Sequence, residues 1–253
     1  MKIGACIGSD KSKIAVCKKL GYDYVESCFA LLAEDDEASF EAFRQALLDN
    51  GIPCLSVNCF LPGALKVTGP EADLSALAEY VERGMKRGQR LGVKKVVFGS
   101  SGARNIPEGY PFADGMRQIF CFLSDVVSPI AEKYGIIVVI EPLSPKDTNV
   151  IRSLREGAEI VAAVNKQNVL LLGDLYHMYN VNDGPADVRM MKGILRHAHI
   201  AEPTKRIYPA PGDACDYKAF LEALEFAGCD TCSVEAGTGD FENDAARAIA
   251  VLK

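Results

Sequence analysis

Tryptophan is absent from this 253-residue sequence, histidine occurs only three times, and basic residues are outnumbered by acidic ones, 28 to 34. The resulting net charge of -6 excludes the broad cationic face with which proteins hold nucleic acid. It leaves room for a small cationic pocket. Without Trp, stacking against a sugar ring falls to the 11 Phe and 9 Tyr. No stretch nears the roughly 18 consecutive apolar residues that cross a membrane. The opening run Met1 to Gly8 meets Ser9-Asp10-Lys11 before an apolar signal core forms, so the expected location is the cytoplasm. A disulfide framework is missing too. Nine scattered cysteines, an odd number, read as reduced, buried small side chains. Cys229 and Cys232 make the one Cys-x-x-Cys. It lies in a β-rich stretch rather than at a helix start, and no second pair completes a zinc site, so it reads as structural.

What is present is ordinary globular composition, 49% apolar and 25% charged. Short β-branched runs alternate with longer amphipathic ones. Strands are expected at Lys2 to Cys6, Tyr24 to Glu26, Pro53 to Val57, Lys95 to Phe98, Ile136 to Ile140, Val169 to Leu172, Arg196 to Ile200 and Thr231 to Val234. Helices are expected between them, and Gly51, Gly92, Gly135 and Gly228 punctuate four helix ends. Ile136 to Ile140 is wholly apolar, as in a strand buried on both faces. Eight β–α units in 253 residues give about 32 residues each, the size of a (β/α)8 barrel. The rival is a doubly wound open sheet, which has a glycine-rich first turn that Gly8-Ser9-Asp10-Lys11 does not supply. The expected fold is therefore α/β, a single TIM barrel domain over residues 1–253.

In such a barrel the chemistry gathers at the C-terminal ends of the strands. Glu26, Glu141, Asp174, His199 and Glu235 stand there, with His177 three residues beyond Asp174. All three histidines fall in this set. His197 and His199 face the same way, because side chains alternate along a strand. Glu141, Asp174, His199 and Glu235 come from four successive strands. Three carboxylates and one imidazole favour a hard or borderline divalent ion, Mn2+ or Mg2+, and leave Co2+ and Zn2+ open. Glu141 is wedged between a buried strand and Pro142, where no helix needs a cap. His197 reads either as a core histidine or as a support for a ligand. Glu26 reads either as a site residue or as a strand-end carboxylate, and Glu202 and Asp147 as site-facing or solvated. Gly237-Thr238-Gly239 reads first as helix capping by Thr238 or Asp240, and only second as a phosphate loop. Arg104, near Gly99-Ser100-Ser101-Gly102, is a candidate contact for an anionic group.

These residues together resemble the xylose isomerase-like barrels, the sugar phosphate isomerase/epimerase family that includes the ketose 3-epimerases. The resemblance is loose in Gly21-Tyr22-Asp23-Tyr24-Val25-Glu26. It sharpens in Glu141-Pro142-Leu143, Asp174-Leu175-Tyr176-His177, His197-Ala198-His199-Ile200-Ala201-Glu202, Pro211-Gly212-Asp213 and Ser233-Val234-Glu235. It implies Glu141, Asp174, His199 and Glu235 as metal ligands, with Mn2+ the leading candidate. It implies His177 on a substrate oxygen and a cation, Lys205 or Arg206, holding the substrate. Glu26, Glu202 and Asp147 join the expected substrate-binding set. Two departures stand out. Ketose 3-epimerases carry an Arg six residues after the metal His, where this chain has Lys205, with Arg206 next. Asp147 replaces a Glu, and Ser144-Pro145-Lys146 lacks an expected Asn-Arg.

The activity so implied is a divalent-metal-dependent sugar or sugar phosphate isomerase or epimerase of carbohydrate metabolism. It would transfer a proton through a metal-bound enediolate, with Glu141 and Glu235 as the acid/base pair and His177 as polarising donor. The runner-up is a lyase of the same family, a dehydratase of a cyclic polyol or keto acid or a C-glycoside-cleaving subunit. A non-catalytic binding subunit comes third. A DNA-repair endonuclease on this barrel would need many more histidines and a basic face. The expected partners are a small carbohydrate or polyol, with no nucleic acid and no membrane. The resemblance also implies a homodimer or homotetramer.

Overall fold

The computed structural model describes residues 1–253. Eight parallel strands close into a barrel in sequence order: β1 (Lys2–Cys6), β2 (Tyr24–Cys28), β3 (Cys54–Asn58), β4 (Lys95–Phe98), β5 (Ile137–Ile140), β6 (Val169–Asp174), β7 (Leu195–Ile200) and β8 (Thr231–Val234). Closure is made by β1 against β8, where Lys2 pairs with Thr231 and Gly4 with Ser233. The expected (β/α)8 architecture is thus the observed one. No helix is long and apolar enough to cross a membrane.

The helices form where the sequence supplies their ends. Asp36, Asp73, Ser153, Asp216 and Asp240 each accept a hydrogen bond from a backbone N–H of the first turn. Gly51 and Gly92 stop two helices with φ of 59° and 88°, a backbone that side chains resist. One expected helix differs. Between β4 and β5 the helix Phe112–Cys121 passes through a π stretch, Phe122–Val127, before Ser128–Tyr134. Pro129 has no N–H to donate and its ring crowds the carbonyl four residues back, which a widened turn relieves.

Alternation along the strands sorts the apolar residues into two sets. Val96, Val138 and Leu171 join the large core between strands and helices. Val97, Val139 and Leu172 form a separate small cluster closed inside the barrel. That inner cluster covers β4 to β6 alone. The rest of the interior, contributed by β1 to β3, β7 and β8, is polar, which departs from the branched apolar filling usual for this fold. Gly4 makes part of this possible, since a Cβ there would lie 2.4 Å from a Tyr24 ring atom.

Candidate active site and metal centre

Glu141 follows β5, Asp174 ends β6, His199 lies near the end of β7 and Glu235 follows β8. The barrel brings one ligand atom of each within 4.8 Å of all the others. Nδ1 of His199 sits 3.0 Å from Glu141 Oε1, 3.5 Å from Glu235 Oε2 and 3.8 Å from Asp174 Oδ2. Asp174 uses its other oxygen to cap the short helix Leu175–Tyr179, accepting from the His177 N–H at 3.1 Å. The turn that Asp174 caps also places His177 in the lining of the site.

Two buried carboxylates and the half-buried Glu235 around one imidazole demand positive charge. Burial alone would disfavour a charged His199, but Glu235, Glu26 and Glu141 outweigh it and raise the imidazole well above its usual range. Glu141 shows the reverse balance. Burial pushes it up, and the hydrogen bond and charge of His199 bring it below the ordinary carboxylate value. Burial keeps Glu235 raised despite His199. The donor set suits a divalent ion, with Glu141, Asp174, His199 and Glu235 as the residues that would hold it.

The ligand cluster opens into a cavity of about 320 Å³, at the small end of the roughly 300–1,000 Å³ range of ligand pockets. His177, Asp147 and Arg206 line it with Glu141 and Glu235. His177 Nδ1 accepts the Ser144 N–H at 3.1 Å, so its proton resides on Nε2, a donor free for a substrate oxygen. Asp147 accepts from the Ser144 hydroxyl and lies 3.6 Å from His177 Nδ1. The Arg206 guanidinium donates to Glu235 Oε2 at 2.7 Å and stacks over Tyr176 at 4.9 Å. Its backbone is left-handed, φ 54°, and its carbonyl accepts the Gly237 N–H. That kink lets residue 206, rather than 205, reach inward.

The geometry places the other expected residues away from the cavity. Lys205 is exposed and does not line the cavity. Glu202 spends both oxygens on the hydroxyl and N–H of Thr204 and the N–H of Lys205, holding its own turn. Glu26 does not line the cavity. It is fully buried beneath the ligands, with Oε1 on His199 and Oε2 on Ser56, His197 and Ser233. Arg104 is fully buried and donates to the carbonyls of Phe98 and Glu141 at 2.7 and 2.8 Å. The Gly237 turn is capped by Asp240. Both Cys229 and Cys232 are buried free thiols.

The sequence reading missed Asn58, whose amide donates to Glu235 Oε1 at 2.9 Å, and the polar residues around Glu26. Their signal was a period-two polar pattern, Tyr24/Glu26, Ser56/Asn58 and Thr231/Ser233, inside strands otherwise apolar. Gly99 was noted only as a loop glycine. A Cβ there would fall 2.2 Å from Glu141 Oε2. Gly99→Ala is therefore expected to displace that carboxylate and weaken Mn2+ binding by about tenfold or more in a titration. Gly184→Ala, with nothing within 4 Å of its Cβ, is expected to leave affinity unchanged.

Residues 14–253 match the family model described as xylose isomerase-like TIM barrel, and the chain belongs to that family. Among curated relatives, 3-dehydro-D-guloside 4-epimerase of Escherichia coli is 26% identical over 218 residues, 84% of this chain and 80% of that one. D-psicose 3-epimerase of Agrobacterium fabrum is 23% identical over 197 residues, 75% of this chain and 66% of that one. Among solved structures, D-allulose 3-epimerase from Methylomonas sp. in complex with D-allulose superposes with a TM-score of 0.85 at 20% identity. That match covers 99% of this chain and 95% of the other.

Proposed function

We propose that this protein is a divalent-cation-dependent epimerase or isomerase of a small sugar or sugar derivative, moving a proton on the carbon beside a carbonyl. The observation that carries the reading is the convergence of three carboxylates and His199 Nδ1 within 4.8 Å, at the base of a monosaccharide-sized cavity. The curated relatives, both sugar epimerases by name, support it. A divalent ion held there would polarise a substrate carbonyl and its neighbouring hydroxyl and stabilise negative charge between them.

The chain's own groups do the rest. Glu141 and Glu235 enter from β5 and β8, with β6 and β7 between them, so they flank the reacting carbon. Each can take up or return its proton, and two bases on opposite faces give epimerisation. The Nε2–H of His177 donates to the oxygen that gains charge. Arg206 and Asn58 orient Glu235 through its two oxygens. Mn2+ is the cation we favour, since an oxygen-rich set with one imidazole suits it.

The test is incubation of the Mn2+-loaded protein in deuterated water with ketoses, ketose phosphates, keto-inositols and 3-keto glycosides. The expected result is deuterium uptake with formation of an epimer or isomer, abolished by chelator. A product lighter by one water would move the chain to the lyases. No uptake with any sugar would overturn the proposal.

A further inference from the structure

Beneath the ligand cluster a hydrogen-bonded chain crosses the barrel. Lys95, at the start of β4, is 5% exposed. Its ammonium donates to the exposed Asp230 and, at 2.7 Å, to the Thr231 hydroxyl on β8. That hydroxyl oxygen is 2.8 Å from His197 Nδ1. His197 Nε2 is 2.8 Å from Glu26 Oε2, and Glu26 Oε1 is 2.8 Å from His199 Nε2. His197, His199, Glu26 and Ser233 are all at 0% exposure.

Each link has a direction. An ammonium only donates, so the Thr231 oxygen accepts from Lys95 and turns its own proton toward His197 Nδ1. With Nδ1 accepting, the proton of neutral His197 sits on Nε2 and is donated to Glu26. A carboxylate only accepts, so His199 also presents an N–H from Nε2. We propose that Lys95, Thr231, His197 and Glu26 form a positioning chain that fixes the Nε2 proton of His199 and reserves Nδ1 for the metal.

The opposite arrangement is available, which makes the device testable. His197 Nδ1 is also 3.2 Å from the Thr231 carbonyl oxygen. If Nδ1 carried the proton it could donate there. Nε2 would then turn a lone pair on Glu26 Oε2, an unfavourable contact at full burial. Glu26, which only accepts, opposes that arrangement at Nε2, and the Thr231 hydroxyl, polarised by Lys95, opposes it at Nδ1. The role of His199 in holding a metal rests on the function proposed above, but the direction of the chain does not.

Nitrogen-15 labelling of the three histidines reads the tautomers directly in the metal-free protein. For wild type, His197 is expected with Nε2 protonated and Nδ1 bare. Thr231→Val, close to isosteric, removes the donor at Nδ1 and is expected to shift the His197 Nδ1 resonance, with Nε2 still protonated on Glu26, and to give about 10- to 100-fold weaker Mn2+ binding. Thr231→Ser is expected to restore both. Lys95→Met, which leaves the hydroxyl free to turn, is expected to shift the Nδ1 resonance by less than Thr231→Val, with Nε2 still protonated. A wild-type His197 protonated on Nδ1 would overturn the proposal, and this result does not depend on any variant folding. So would a Thr231→Val protein with unchanged resonances, or with changed resonances and wild-type affinity for Mn2+. If the wild type binds no Mn2+, the metal reading fails while the His197 resonances still decide the chain.

Discussion

Replacing Glu235 with Gln is expected to slow interconversion of the two epimers by about 10²–10⁴-fold, the span attributed to a positioned acid/base group. The geometry makes the substitution a clean one. Asn58 donates to Oε1 at 2.9 Å and Arg206 to Oε2 at 2.7 Å, so the side chain is held at both ends. An amide keeps the shape and cannot take up the substrate proton. It also turns one NH2 against a donor, so Mn2+ occupancy must be measured alongside the rate. Two-base chemistry gives the sharper prediction. Glu235→Gln should lose deuterium exchange from the epimer whose C–H faces Glu235, and Glu141→Gln should lose it from the other. Exchange retained from both epimers at full metal occupancy would remove Glu235 from the role of base.

The barrel was legible because its cues are local. Each apolar run of strand length is followed by an amphipathic segment, and glycine or a capping Asp marks many of the boundaries. The ligand set was legible for a related reason. Glu141 and Glu235 are the first residues past strands β5 and β8, and after the wholly apolar β5 a carboxylate has no structural use. Glu26 looks identical in sequence yet sits lower. It pairs with Ser56 across β2 and β3 after a register shift, and the tilt and stagger of a closed barrel, absent from any single strand's pattern, set its depth. The same limit hid Lys95 and Thr231, on strands that do not pair with each other, whose contact exists only because the sheet closes. The reach of Arg206 over Lys205 turned on one left-handed backbone angle, which no periodicity encodes.

Divalent metal is expected to stabilise this fold measurably. Binding to the native state alone adds about 2.7 kcal/mol at a hundredfold excess over Kd. For a chain of this length each kcal/mol is worth about 2–4 °C, so Mn2+ should raise the melting temperature by about 5–10 °C and a chelator should reverse it. The gain should depend on pH with a definite sign. In the metal-free protein the His199 imidazole is raised well above its ordinary range by Glu235, Glu26 and Glu141. A group raised on folding stabilises fully below its unfolded value, and that contribution fades as pH climbs through the raised one. Metal must displace the Nδ1 proton, so it competes better as the pH rises from 6 to 8. The melting shift should therefore grow across that interval, with a proton released per ion bound, seen by calorimetry in buffers of different ionisation enthalpy. Asp174→Asn separates the causes. Its amide oxygen can still cap the Leu175–Tyr179 helix while one negative charge leaves the cluster, so the metal-free melting point should move little and the metal-induced shift should shrink. A shift of unchanged size in Asp174→Asn would place the ion elsewhere.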